Sequence, residues 1–570
     1  MSDTICDLCK AIPLDLFRCE LGQYRYELAP SFQDLEKSAQ HGCASCKIFV
    51  DALPWVTNTK TPIMLANTSH RSPKEPGEIY IYFGHEFDPD TNTFKEYGTL
   101  NWLLHPGSQQ EQMFGEVRYR SSNPVCDQNI ELIKALLEDC LADHPSCRVT
   151  EQYPLPTRLL DLGENPDIVM VRVVSGSRGS EHLGRYLTLS HCWGNTAINA
   201  PWKLTMDRAD EFSSGIPFDI LPKTFQETIN LVKSIGERYL WIDSMCIVQD
   251  SKEDWEVEAS RMADVYGGSL CTISTATDST SGGCYLPRNV AELEPVEWKL
   301  SQTESSDDQL DTTVVLLPSF RFGLDPPVFQ RAWCLQEREL SHRMLQFGVY
   351  GWQWSCSMGH TSEVELYTKT FDFRGSLRQS MAQRLTENPS ILGGYPTGWS
   401  ILLPKFSHIA ASKDRNKAYE YWIYIMTMFS GAKITILGDR IPALHGLAAR
   451  QKSVFPDKYA YGIWELEIIN GLCWKCRHNR VGDVGVRTRI EPVIAPTWSF
   501  LSLQACIHLS RRVNHIIIPD TYMWFEDTDE ETMFTTIRGR GHVVEMSCSD
   551  QDNDSYGLYS KHSNCQRPMI

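Results

Sequence analysis

Tyr186-Leu-Thr-Leu-Ser-His-Cys-Trp-Gly194 is an apolar run that breaks abruptly into polar and aromatic residues. A buried strand that delivers side chains to one edge of a sheet has this pattern. Tyr239-Leu-Trp-Ile-Asp-Ser-Met-Cys-Ile-Val-Gln-Asp250 repeats it, so a second strand is expected with Asp243 at its carboxyl end. Between the two, Pro222 sits where a first helical position would be. Phe225, Ile229, Val232 and Ile235 follow at helical spacing, and Gly236 supplies a stop. After the second block, Ser251 and Asp254 form an approximate capping box for a helix with Trp255, Ala259, Met262 and Tyr266 on one face, ended by Gly267-Gly268. Leu270-Cys-Thr-Ile-Ser-Thr-Ala276 reads as the next strand, and Arg331-Ala-Trp-Cys-Leu-Gln-Glu-Arg-Glu-Leu-Ser341 as a helix. Strands alternating with helices imply an α/β fold whose parallel sheet is covered on both faces. Ligands of such a fold bind at the carboxyl ends of the strands, where Ser190, His191, Cys192, Trp193 and Asp243 fall.

Outward from this core the chain changes character. Residues 76 to 122 read as strands with turns, and Ile130, Ile133, Leu136, Leu137 and Leu141 mark an amphipathic helix. A strand is expected from Ile168 to Val174, and the Gly-Ser-Arg-Gly-Ser stretch at 176 to 180 reads as a turn. Residues 289 to 330 form an insertion whose acidic centre, Ser301 to Asp311, reads as an exposed loop. Beyond Arg343 lies an aromatic-rich region with Trp352, Trp354, Trp422, Trp464, Trp474 and Trp498, expected to be core rather than a ligand stack. Three regions follow: an α+β module over 1–180, the central α/β domain over 181–345, and an α+β region over 346–570. A chain of 570 residues exceeds the size at which single cores stop growing, which agrees.

Composition narrows the function. With 42% hydrophobic and 22% charged residues the chain is globular, not disordered. A net charge of -18 repels phosphate backbones and anionic membrane surfaces, so neither nucleic acid nor membrane is an expected partner. No stretch approaches the roughly 18 apolar residues of a membrane helix. The first residues carry neither a basic start nor an apolar run, so no secretory signal is expected and the cytoplasm is the expected location. The 19 cysteines are then thiols or metal ligands. Cys6-x-x-Cys9 and Cys43-x-x-Cys46 can close a structural zinc site, although their separation exceeds the usual 15–20 residues or so. Alternatively Cys46 faces the core beside Ile48, Phe49 and Val50, and the first pair is incidental.

The LS-CWG strand end, the YLWID-CI-QD segment and the W-LQE-LS helix, in that order, resemble the fungal heterokaryon-incompatibility (HET) domain. Leu221-Pro-Lys-Thr-Phe225 and the segment Trp255 to Tyr266 add to the resemblance. It implies a protein of the self/non-self recognition and regulated cell-death class, acting by self-association or with another incompatibility protein. Trp333-Cys-Leu-Gln-Glu337 also resembles the W-C-x-x-E segment of TIR domains, to which HET domains are distantly similar. That likeness implies a flavodoxin-like sheet, NAD as substrate and Glu337 as the catalytic carboxylate, with Trp333 packing the helix or a base and with Ser190, Trp193 and Asp243 lining the pocket.

The implied chemistry is coherent. Cleaving the bond between nicotinamide and ribose develops oxocarbenium character, which a nearby carboxylate stabilises. Glu337 could instead be a solvated helix carboxylate or a buried acid paired with Arg331. A rival reading takes Cys192 or Cys246 as a nucleophile with His191 as base. Neighbours on one strand face opposite ways, so His191 cannot activate Cys192 there. A non-enzymatic scaffold with a vestigial cleft, or an accessory protein of specialised metabolism, are the alternatives to an enzyme.

Overall fold

Every side chain of the strand Tyr186–Ser190 is buried, which demands neighbours at both edges and cover on both faces. In the computed structural model it is the middle strand of a nine-stranded mixed sheet. The structure describes residues 6–13, 16, 25–51, 53, 61–67, 77–83, 87–88, 93–94, 97–105, 121–144, 147, 153–163, 170–175, 185–195, 200–288, 296–300, 312–317, 326–348, 351–357, 360–363, 414–452, 454–476, 488–509, 522–526, 536–540, 546–547 and 559–560. The segments 176–180 and 301–311 lie outside them.

In chain order the elements that build the site are helix α1 (Asp127–Asp143), strands β1 (Arg158–Asp161), β2 (Met170–Ser175), β3 (Tyr186–Ser190) and β4 (Ile216–Pro217), and helix α2 (Lys223–Ile235). Strand β5 (Tyr239–Trp241), helix α3 (Lys252–Gly268), strand β6 (Thr272–Ser274) and helix α4 (Ala332–Leu340) follow. Strands β7 (Arg343–Gly348), β8 (Gly351–Cys356) and β9 (His360–Ser362), then helices α5 (Arg415–Gly431) and α6 (Arg440–Gln451), complete the set. The sheet order is β4-β2-β1-β5-β3-β6-β7-β8-β9.

Four neighbours, β5-β3-β6-β7, are parallel. Their chain order is β3, β5, β6, β7, so the chain steps off β3 to one side and then crosses to the other. This is the doubly wound, flavodoxin-like arrangement, with its switch point between β3 and β6. Right-handed crossovers in opposite directions put α2 on one face and α3 and α4 on the other. The side chains agree. Phe225 of α2 lies edge-on to His191 at 5.1 Å, whereas the side chain of Tyr186, of the other parity, donates to the Val265 carbonyl of α3 at 2.7 Å.

The sheet is mixed, not wholly parallel. β1, β2 and β4 add antiparallel on one side, and β8 and β9 on the other. Only residues 349 and 350 separate β7 from β8, too few for a parallel crossover. The borders at 181 and 345 do not bound this sheet, because β1 and β2 precede one and β8 and β9 follow the other. The insertion also differs from expectation. Its flanks, Val296–Leu300 and Thr312–Leu317, are strands of a six-stranded antiparallel sheet with Arg25–Ala29, Ile63–Asn67, Gly77–Phe83 and Tyr97–His105 of the N-terminal module.

Helix signals in the sequence have identifiable outcomes. Phe225, Ile229 and Val232 of α2 are fully buried, and Gly236 caps the helix at φ +96°. The Ser251 hydroxyl accepts the Asp254 amide at 3.2 Å, as a cap does. Gly267 and Gly268 are the last two residues of α3, the end expected of them. A Cβ at either would come within 2.8 Å of the Tyr153 side chain, so close packing is what requires them. The main core runs from Ile130 to Ile507 and includes Trp352, Trp354, Trp422 and Trp464 at 0–1% exposure, while Trp474 and Trp498 are half-buried. The N-terminal module has a separate core around Leu35, Phe49, Leu65 and Ile81.

A buried ion pair ties the far edge of the sheet to α1. Arg288 donates to both Glu363 oxygens at 2.7 and 2.9 Å, and Asn129 donates to Glu363 at 2.9 Å. Removing one partner strands a charge away from water. Glu363→Ala is expected to cost about 3–5 kcal/mol, read as a drop in the urea midpoint at unchanged slope.

Candidate functional site

Beyond Ser190 the chain leaves β3 through His191, Cys192, Trp193 and Gly194. Gly194 has φ +67°, and a Cβ there would sit 2.6 Å from the Ser279 Cβ, so the turn is pressed against the loop after β6. The turn aims the Trp193 indole at Asp243, to which Nε1 donates at 2.8 Å. Asp243 follows β5 and also accepts the Ser244 amide at 2.7 Å. Its Oδ1 lies 3.8 Å from His191 Nδ1, and Lys203 Nζ lies 4.8 Å from the centre of the Trp193 ring. The tips of β3 and β5 are thus joined.

Helix α4 packs beside these strand tips. Of its residues only Trp333 is not buried, and Glu337 is 5% exposed. The carboxylate is approached by the Ser190 hydroxyl and the Cys334 thiol, with Asp243 as a like charge and Arg331 as an opposite charge acting on it. Burial pushes its pKa up to about 7. Ser190 opposes that rise, Asp243 adds to it, and Arg331 and Cys334 oppose it. Arg331 is engaged elsewhere as well, donating to the His191 carbonyl at 2.5 Å. His191 is shifted the other way, down to about 4. Burial is the main cause, Asp243 raises the value and Arg331 lowers it.

Buried polar atoms without partners gather around the ends of β3 and β6. Among the described residues Glu337 Oε2, His191 Nε2, Ser274 Oγ and Thr275 Oγ1 are such atoms. Ser274 is the register partner of Ser190, and the Thr275 amide donates to the Ser190 carbonyl. An unpaired buried polar atom costs about 1–3 kcal/mol, and these four lie at the switch point, where folds of this kind take their ligands. A cavity of about 440 Å³ lies instead at the amino ends of the strands, among Tyr153, Tyr186, Leu270 and Arg343. The unpaired atoms outweigh that volume, because a mostly apolar hollow remote from Glu337 has little to offer a reaction.

Residues 186–337, which run from the first residue of β3 to Glu337, match the family model described as Heterokaryon incompatibility protein (HET). The chain carries a HET domain. No curated protein and no solved structure matches the chain. No helix among the described residues is long and apolar enough to cross a membrane.

Within the HET domain Trp193 meets Asp243 at the tips of β3 and β5, and Ser190 meets Glu337 where α4 packs on β3. Trp333 belongs to another contact: its indole donates to Asp439 at 3.4 Å, joining α4 to the start of α6. Sequence reading passed over Ser274 and Thr275. The apolar-to-polar break after Ile273 marks them just as the break after Leu189 marks Ser190. The cysteine-nucleophile reading finds no support in the geometry. Burial raises the thiols of Cys192 and Cys246, the latter to about 12, and the His191 ring is turned to Asp243 and Phe225.

The four N-terminal cysteines are brought together. Cys6 and Cys9 sulfurs each lie 3.4 Å from that of Cys46, Cys43 lies 3.8 Å from Cys9, and all four fit within 4.8 Å. Zinc–sulfur bonds of about 2.3 Å in a tetrahedron give sulfur–sulfur edges of roughly 3.8 Å, so the set fits a zinc ion. His41 stands apart, its Nδ1 2.6 Å from the Lys37 carbonyl.

The Gly194 turn is the feature whose loss should be felt first. Gly194→Ala is expected to destabilise the domain by about 1–3 kcal/mol in urea unfolding. Adding Ser279→Gly should recover part of the loss, since it removes the atom that the new methyl group meets.

Proposed function

We propose that this HET domain is the effector of a self/non-self recognition protein and hydrolyses the nicotinamide–ribose bond of NAD, with Glu337 as the catalytic carboxylate. The observation that carries the reading is one carboxylate, buried beside Ser190 at the switch point, with a free oxygen and a pKa near neutrality. In the reaction the glycosidic C–N bond breaks, nicotinamide leaves with the bonding pair, and water adds to the ribose carbon and releases a proton. Ionised Glu337 faces the oxocarbenium-like centre. Its desolvation, costly in the resting protein, makes the attraction stronger there. Ser190 would hold the carboxylate in place, and Asp243 with Trp193 would border the ribose or base. The TIR-like W-C-x-x-E segment supports the same assignment.

The protonation states set the pH dependence. Glu337 is raised from 4.5 to about 7, so the folded chain keeps a proton that the unfolded chain releases between those values. The stability it contributes is full below the unfolded pKa and is lost as pH rises through about 7. His191 is lowered from 6.5 to about 4, and its contribution is full above 6.5 and lost as pH falls through about 4. Activity needs Glu337 ionised and should therefore rise through about pH 7.

Full-length protein is incubated with NAD over a range of protein concentrations that includes assembled samples, and free nicotinamide is measured. Release by the wild type, at least 100-fold lower in Glu337→Gln, is the expected result. Glu337→Gln should also be more stable than wild type at about pH 8, by on the order of 2–3 kcal/mol. No release from folded wild type at any assembly state, or release untouched by Glu337→Gln, would overturn the reading in favour of a non-enzymatic scaffold.

A further inference from the structure

Three more cysteines and a histidine converge at the opposite end of the sheet. Cys140 and His144 are one turn apart at the end of α1, where His144 is the C-cap. The Cys147 amide donates to the His144 carbonyl at 3.0 Å. Cys356 is the last residue of β8 and arrives from far along the chain. The His144 Nδ1 atom lies 3.5 Å from the Cys356 sulfur and 3.9 Å from that of Cys147, and all four ligand atoms fit within 4.8 Å. Tetrahedral zinc with bonds of about 2.3 Å to sulfur and 2.0–2.1 Å to nitrogen would space them roughly 3.6–3.8 Å apart. None of these cysteines is in a disulfide.

A second observation concerns charge. Arg343 is 1% exposed, and its hydrogen bonds go to the Cys147 carbonyl at 2.8 Å, the Leu270 carbonyl at 3.2 Å and the Cys140 sulfur at 3.1 Å. No carboxylate among the described residues pairs with it. A buried guanidinium without a counter-charge is severely unfavourable. Zinc held by three thiolates and a neutral imidazole carries one net negative charge, which Arg343 balances, and a donor to a ligating sulfur is the usual outer partner of such a site.

We propose that Cys140, His144, Cys147 and Cys356 bind a structural zinc ion that fastens the end of α1 to the edge of the nine-stranded sheet. Four protein ligands leave no position for substrate, so the ion would brace the fold and take no part in the HET domain's chemistry. The soft ligand set selects zinc over calcium or magnesium. Together with the Arg288–Glu363–Asn129 contact at its other end, α1 would be held to the β8–β9 edge at both termini.

The test uses full-length protein bearing Cys6→Ser and Cys9→Ser, which removes the N-terminal cluster, purified in reductant with zinc or cobalt supplied. The expected result is one metal per chain, with the strong visible bands of tetrahedral cobalt and a thiolate-to-cobalt charge-transfer band. In that background Cys356→Ser should lose the metal. His144→Cys should keep it, with the cobalt spectrum displaced toward that of four thiolates, a change that a merely structural histidine would not produce. Metal-free folded protein, a weak octahedral cobalt spectrum, or a spectrum unmoved by His144→Cys would overturn the site.

Discussion

Taking the Glu337 carboxylate out of water is the constraint around which the HET domain is arranged. A charge in that position is costly, and Arg331, its cationic neighbour, also donates to the His191 carbonyl. The residue is therefore poised between neutral and charged forms, a balance set mainly by burial and trimmed by Ser190, Asp243, Arg331 and Cys334. Such a group is weakly justified as a structural element, because a glutamine or leucine would fill the same space at lower cost. It is well justified as a group that changes charge near neutral pH.

Burial at that point depends on elements far apart in sequence. The doubly wound order sets the tips of β3 and β6 side by side, and α4 covers them from one face. The C-terminal region then holds α4. The Ala332 amide donates to the Lys433 carbonyl at 2.9 Å, Tyr421 donates to Glu339 at 2.5 Å, and the Gln336 amide occupies the space that a Cβ on Gly446 would take. A change in how α5 and α6 pack would thus be felt at the helix that carries Glu337. The family-matched segment supplies the residues around Glu337, and the chain beyond it holds α4 in place.

Much of this was legible in the sequence because burial leaves a local signature. Strand ends showed as apolar runs broken by polar residues, and α2 as a stripe at helical spacing closed by Gly236. Glycine serves both to stop helices and to admit a close neighbour, and Gly267-Gly268 does both, ending α3 and admitting Tyr153, of which only the first could be read from sequence. The misreadings have physical causes. Trp333 lies one turn from Glu337, yet spacing cannot say that its partner is Asp439. The sheet's outer strands come from both sides of the matched segment, and no local pattern announces which edge a strand will join. The Cys140-x-x-x-His144-x-x-Cys147 spacing was visible, but its fourth member, Cys356, is brought in only by the β7–β8 hairpin.

The most direct measurement is the ionisation of Glu337 itself, by infrared difference spectroscopy of wild type against Glu337→Gln across pH. A protonated carboxyl band in the wild type at about pH 6, absent from the variant and bleaching with a midpoint at about 7, is the expected result. A side chain already ionised at about pH 6, titrating near the ordinary 4.5, would contradict the desolvated carboxylate on which the catalytic reading stands.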